Sequence, residues 1–337
     1  MGGKSNIFTI ASKTGYSVST VSRVLTGQAE KFRISKKAIE LISETARQIN
    51  YQPDLVAQTL RTRQSRTVGL LVPGIDNPFF ATLSGSIINL LAARGYHTLL
   101  ADSRESEREE EQALQMFKGR KVDGIIAVPV ATKAGNLEQI GRDIPVVLID
   151  RHFKETTLPY VCTDNYAGAR MATEFLLQKG YKSILAIQGV TSSMPNRERL
   201  RGFTEALEGK SVHYAVAGDA FSVENGYDQV LRAFGSGEKP FDAIFAFSAT
   251  ILLGAIDALR ALNLTVGRDV GIISFDNNGF LDFLDPAVTR VEQPLREASA
   301  LAVETLFGII DARREGRPDP ELIQKLIPPT LAVRSSC

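Results

Sequence analysis

From Thr67 to Phe275, short unbroken runs of apolar residues alternate with longer stretches of helical periodicity. That alternation limits the fold more than any other feature of the chain. A strand with no polar alternation is buried on both faces, and such strands separated by helices form parallel sheets covered on both sides. The first series reads strand 68–73, helix 77–94, strand 97–101, helix 107–118 and strands 124–129 and 145–149. The second reads helix 165–179, strand 183–187, helix 195–207, strand 212–217, helix 223–234, strand 243–247, helix 250–262 and strand 270–275. Two doubly wound α/β units in tandem are expected, facing each other across a cleft that closes like a hinge.

In such sheets ligands bind beyond the carboxyl ends of the strands, at the crevice between units. Polar residues gather at those places in the sequence. Asp76 and Asn77 follow the first strand, Asp150 and Arg151 the run 145–149, and Asp164 the segment 160–163. Arg197, Arg199 and Arg201 follow the run 183–188, and Asp276 and Asn277 follow 270–275. Carboxylates and amides accept sugar hydroxyls, and an arginine fork suits a hydroxyl pair or a phosphate. Phe79, Phe80 and Phe221 offer apolar or stacking faces. The plain alternative for any one of these residues is a helix cap or a solvated loop; five such positions on one face favour a binding cleft. Gly180, Gly189 and Gly202 read as ordinary turns and helix ends.

Residues 1–66 are different. They carry 11 Lys and Arg against 4 Asp and Glu, while the remainder carries 28 against 34, so a net charge of +1 conceals a basic head on an acidic body. That asymmetry points to a polyanionic partner for the head alone. Asn6 caps a helix from Ile7 to Lys13, Gly15 makes the turn, and Ser17 caps a second helix. Val21, Val24 and Leu25 share its inner face, while Ser19, Ser22, Arg23 and Thr26 are placed on the outer one. Small hydroxyls and one arginine on an exposed helix suit the DNA major groove. Ser35 caps a third helix, 36–48. Asn50-Tyr-Gln-Pro53 then breaks the pattern, and 54–63 forms a short helix too weak to stand alone in water. Leu60, among basic neighbours, fits a wedge between minor-groove base steps.

Other classes find no support. No apolar run approaches the roughly 18 to 20 residues that span a bilayer, and the N-terminus lacks the pattern of a signal peptide, so a cytoplasmic protein is expected with no membrane partner. Cys162 and Cys337 and the scattered His97, His152 and His213 have neither metal nor disulfide spacing, so no metal site is expected. No nucleophile elbow, phosphate-binding loop or dinucleotide fingerprint occurs, so no catalytic residue and no cofactor are expected.

The motifs together resemble a known family. Ser17-Val-Ser-Thr-Val-Ser-Arg-Val-Leu25, Asn50-Tyr-Gln-Pro53, Val56-Ala-Gln-Thr-Leu-Arg61, Arg66-Thr-Val-Gly-Leu-Leu-Val-Pro73, Asn77-Pro-Phe-Phe80, Arg197-Glu-Arg-Leu-Arg-Gly-Phe203 and Phe275-Asp-Asn277 are similar to motifs of the lactose/galactose repressor (LacI/GalR) family. The likeness spans the whole chain. It implies an all-α three-helix helix-turn-helix head over 1–52, a hinge helix over 53–65, and an α/β two-subdomain periplasmic-binding-protein-like core of two doubly wound parallel sheets over 66–337. The first subdomain is expected at about 66–160 plus 294–318, the second at about 161–290 plus 319–337. It implies a homodimer on double-stranded, palindromic operator DNA and a small sugar or sugar phosphate as effector. Val18, Ser19 and Arg23 fall at base-reading positions, Ser17, Ser22 and Thr26 among phosphate and base contacts, and Ala57 and Leu60 on the DNA-facing hinge. Asp150, Arg199 and Asp276 fall at effector positions, with Phe221 as an aromatic contact; Asn77, Phe80 and Arg151 complete the expected site, and Arg151 and Arg199 would hold a phosphate.

The 27–35 loop, the Asp150-Arg151 pair and Gly279-Phe-Leu-Asp-Phe-Leu-Asp285 look like the fructose and sucrose repressor branch. Ser248-Ala249 departs from the Asn-Asp of many members, and these two are left out of the expected site. Thr9 stands where an aspartate is common. The resulting expectation is a non-enzymatic, effector-controlled transcriptional repressor of carbohydrate genes. The alternatives are a solute-binding protein, against which the basic head argues, and a sugar-modifying enzyme using the same cleft.

Overall fold

The computed structural model of the chain describes residues 6–25, 27–51, 64–236 and 239–337, which fall into two compact units, 1–65 and 66–337. The first holds three helices: α1 (Ile7–Thr14), α2 (Val18–Leu25) and α3 (Lys36–Gln48). Asn6 accepts the Thr9 N–H at 2.9 Å and starts α1, and Gly15, at φ 74°, ends it by donating its N–H to the Ala11 carbonyl. The Ser17 hydroxyl accepts the Thr20 N–H at 3.2 Å at the start of α2, and Ser35 accepts the Ala38 N–H at the start of α3. Ile10, Val21, Val24, Ala29, Ile42 and Ala46 form the core. Leu25 packs against it.

The second unit is a pair of α/β lobes. In chain order the elements are β1 (Thr67–Val72), α4 (Pro78–Ala93), β2 (His97–Asp102), α5 (Glu107–Gly119), β3 (Gly124–Ala127), α6 (Gly135–Asp143), β4 (Val146–Ile149), β5 (Tyr160–Thr163), α7 (Asn165–Gln178) and β6 (Ser183–Ile187). Then follow α8 (Met194–Leu207), β7 (His213–Ala217), α9 (Val223–Phe234), β8 (Ala243–Ala246), α10 (Ala249–Ala261), β9 (Gly271–Phe275), a 3-10 turn (Gly279–Phe283), β10 (Thr289–Glu292), α11 (Leu295–Arg314), β11 (Gln324–Ile327) and β12 (Thr330–Ala332). One sheet runs β11-β5-β4-β3-β1-β2 and is parallel throughout; the other runs β12-β10-β9-β8-β6-β7 and is parallel except for β12 against β10. In the first lobe Val68, Leu70 and Val72 pack with α4 and α11, while Leu71 turns to the opposite face with α5 and α6. This is the two-sided burial that the unbroken apolar runs require.

The structure moves two expected boundaries. β5, which includes Val161–Thr163, pairs with β4, and β11 pairs in parallel with β5, so 161–163 and 324–327 belong to the first lobe rather than the second. The ladder bonds to β5 decide the second case, since the edge strand Gln-Lys-Leu-Ile has too few apolar residues to reveal itself. Three segments therefore link the lobes among the described residues: at Asp164, at 293–294 and at 328–329.

Gly202 is not a turn, as its sequence context suggested, but lies inside α8, where an added Cβ would meet the Tyr166 carbonyl at 2.3 Å. α7 and α8 are in contact there because this position has no side chain. Helix α6 has no counterpart in the sequence reading: it opens on glycine, contains Gly141, and has no capping side chain.

Candidate functional site

The cleft between the lobes is lined by Asn77, Phe79, Phe80, Asp150, Arg151, Pro195, Arg199, Phe221, Ser248, Asp276 and Gln293. All seven effector residues expected from sequence are brought together there. The cavity left among these side chains is small, about 30 Å³.

Local structure explains each position. Asn77 caps α4 by accepting the Phe79 N–H at 3.0 Å, which sets Phe79 and Phe80 on the first turn. Asp150 and Asp276 each follow a central strand, β4 and β9. Both have left-handed backbone, φ 65° and 83°, and both donate their N–H to the next strand, to Val161 and Val291. Such conformations in non-glycine residues concentrate at functional sites. The Phe221 ring occupies the space over Gly189, where a Cβ would lie 2.2 Å from it. Gly189 therefore makes room for a cleft-lining ring and is not a simple turn.

The site is charged and buried. Arg199 is 4% exposed; its Nε donates to Asn165 Oδ1 at 2.8 Å, its Nη1 to the Phe247 carbonyl, and its guanidinium lies 4.0 Å from the centre of the Phe275 ring. Burial pushes its pKa down, opposed by the charges of Asp276 and Asp150. Arg151 forms a two-bond fork with Glu105, at 2.7 and 2.6 Å. Burial opposes its charge, but Glu105, with Asp150 and Glu110, outweighs that and raises its pKa. Asp276 accepts the Ala249 N–H at 3.1 Å and Gln293 Nε2 at 2.7 Å. Among the described residues Asp150 has no comparable donor, with Arg151 Nε 3.9 Å away. Burial pushes the Asp150 carboxyl up to about 6, against the pull of Arg151 and Arg199. Arg151 Nε and Gln293 Oε1 are buried with no hydrogen-bond partner, as groups that a ligand satisfies are.

Several residues depart from the sequence reading. Ser248 lines the cleft and caps α10 through the Ile251 N–H, although it was left out of the expected site. Gln293, Glu105 and Asn165 were missed, each acting through a partner distant in sequence; Pro195, in the first turn of α8, also lines the cleft. Asp164 caps α7 instead of reaching the cleft. Asp76, Asn277, Arg197 and Arg201 are exposed and do not line it. Among the described residues no cluster of three or more His, Cys, Asp or Glu side chains is disposed to hold a metal, and no helix is long and apolar enough to cross a membrane.

In the head, Ser17, Ser19 and Arg23 are exposed and Val18 half-buried. The Ser17 and Ser19 hydroxyls are 2.8 Å apart. Ser22 is only 8% exposed, contrary to its expected place on the outer face. It stands four residues after Val18 and three before Leu25, so the helical period turns it toward the core. Arg23 is stacked 3.8 Å above the ring of Phe32, a contact from the following loop that the sequence did not signal. Thr26, Ala57 and Leu60 lie outside the described residues.

Residues 68–281 match the periplasmic binding protein domain. The chain is 34% identical over 304 residues to the ribose operon repressor of Halalkalibacterium halodurans, covering 90% of each protein. The chain belongs to the LacI/GalR family. A crystal structure of the Lac repressor dimer bound to operator and an anti-inducer covers 99% of both chains with a TM-score of 0.86; at 21% identity it speaks to the fold alone. The Cra dual regulator of Pseudomonas putida, in complex with fructose 1-phosphate, is 26% identical over 80% of this chain and 98% of its own, with a TM-score of 0.72.

Proposed function

We propose that the protein is a sequence-specific, DNA-binding transcriptional repressor of carbohydrate genes, governed by a small sugar bound between the lobes. The carrying observation is the convergence of Asp150, Arg151, Arg199 and Asp276 with Phe80 and Phe221 on one cleft, in a chain whose first 66 residues hold its excess positive charge. Carboxylates for hydroxyls and an aromatic face for the ring's apolar side are what sugar recognition needs. The basic head with Ser17, Ser19 and Arg23 exposed on one side of α2 suits phosphates and base edges. Such a protein acts on the chromosome and so in the cytoplasm.

In this reading two copies place their α2 helices in successive major grooves of a palindromic operator. The segment 53–65, with Ala57 and Leu60, joins each head to its effector unit and meets the operator. Ligand binding changes the relation of the lobes and thereby the pairing of the hinges. The coupling is reciprocal: whatever the sugar does to operator affinity, operator does to sugar affinity. At the finer level, motif likeness favours a fructose- or sucrose-type regulator, while the relative with 34% identity is named for the ribose operon; a small sugar is common to both. The names of the relatives do not favour a solute-binding protein or an enzyme.

The test is operator binding by the full chain, measured by fluorescence anisotropy with and without sugar. Arg199→Ala is expected to bind operator like the parent protein and to lose the sugar response. Leu60→Ala is expected to weaken operator binding while sugar affinity stays. Normal operator binding by Leu60→Ala would sink the hinge role, and an unchanged sugar response in Arg199→Ala would sink the effector site.

A further inference from the structure

The charges around the cleft are arranged against a phosphate. Of its two guanidinium groups, Arg151 is held by both oxygens of Glu105, and Arg199 is committed to Asn165 and the Phe247 carbonyl. Glu105 is itself fixed: it sits in the turn after β2 with φ 54° and donates its N–H to the Pro73 carbonyl at 3.1 Å. Its carboxylate is placed behind Arg151, outside the cleft lining. Counting Asp150, Asp276 and Glu105 against Arg151 and Arg199, the fully ionised cluster is negative by one charge. Glu110, fully buried and bonded to the Val130 N–H at 2.6 Å, adds a further carboxyl on the same side.

A phosphate monoester carries a charge of about −2 near neutral pH. Buried in this cluster it would meet carboxylates on both sides and no guanidinium without a carboxylate or carbonyl partner, and like charges brought together away from water oppose binding strongly. An uncharged sugar meets the reverse. Its hydroxyls donate to Asp150, which lacks a close donor of its own, and to the unpartnered Gln293 Oε1, and one ring or hydroxyl oxygen accepts from Arg151 Nε. Asp150, the Gln293 oxygen and Arg151 Nε are then matched, with no new net charge.

We infer that the effector is an uncharged monosaccharide, and that Glu105, by neutralising Arg151 from behind, is the positioning residue that discriminates against its phosphate ester. This inference rests on the cleft being the effector site. It is tested by isothermal titration of the full-length protein with a panel of pentoses and hexoses and their monophosphates, among them D-ribose, D-fructose, ribose 5-phosphate and fructose 1-phosphate. The expected result is that a free sugar binds roughly tenfold or more tightly than its own phosphate. Glu105→Gln is expected to narrow or invert that ratio by strengthening phosphate binding, and Glu105→Asp to keep its sign. A purely structural loss would weaken both ligands alike and leave the ratio unchanged, which would overturn the role of Glu105. Tighter binding of a phosphate by the parent protein, a comparison that needs no variant, would overturn the inference while leaving the effector site standing. Failure of the whole panel to bind would instead remove the sugar-sensing reading, and the inference with it.

Discussion

The two lobes share a strand order but treat a matching aspartate differently. In each, the strand order is the same around a central parallel ladder. In each, an aspartate just before the third strand (Asp123 or Asp242) donates its N–H to the start of the first strand and accepts from a neighbouring N–H with its carboxylate. In each, a left-handed aspartate ends the fourth strand and faces the cleft. The second lobe satisfies its aspartate internally, since Asp276 already holds Ala249 and Gln293. The first lobe leaves Asp150 desolvated and short of donors, with its pKa pushed up to about 6. One wall of the cleft is finished before ligand arrives; the other is completed by it.

That contrast breaks most visibly in its pH dependence. In the ligand-free protein Asp150 keeps its proton to about pH 6, whereas an unfolded chain loses it near 3.8. Between those values the folded state binds more protons, so stability falls as pH rises through the window and is level above it. The fall is at most about 3 kcal/mol, at 1.36 kcal/mol per pKa unit. Thermal unfolding of the parent protein and of Asp150→Asn across pH 4 to 7 checks this (a range of roughly three units, chosen to bracket the shift): the variant is expected to be flatter. Sugar affinity runs the opposite way and rises through pH 6, because hydroxyls donate to the ionised carboxylate.

Asp276→Asn tests the finished wall. Its amide cannot accept from both Ala249 and Gln293 as the carboxylate does, and leaving a buried donor unmatched costs roughly 1–3 kcal/mol. A lowered melting temperature without ligand is expected here, by more than Asp150→Asn shows at pH 7. Equal losses would mean that the two aspartates are equivalent after all. The smallest effect is expected outside both lobes. Phe32→Ala removes the ring beneath Arg23, a contact of roughly 0.5–1 kcal/mol at an exposed site. A few-fold loss of operator affinity with unchanged sugar affinity is expected by anisotropy and calorimetry.

Much of this was legible in the chain because the signals are local. Unbroken apolar runs gave both sheets, capping residues such as Ser35 gave helix starts, and residues after strand ends gave five positions around the cleft, Asn77, Asp150, Arg151, Arg199 and Asp276. What was hidden depends on contacts remote in sequence. Glu105 and Arg151 meet across 46 residues, Gln293 and Asp276 across 17, and β11 is a strand only because β5 offers it an edge. Ser22 was misplaced for a subtler reason. It is polar, but its angle on α2 lies with Val18 and Leu25, and the geometry of the helix outranks the chemistry of the side chain.

Gln293 also lies in one of the three segments that join the lobes. An occupant that engages its open oxygen therefore touches the connection between the lobes directly.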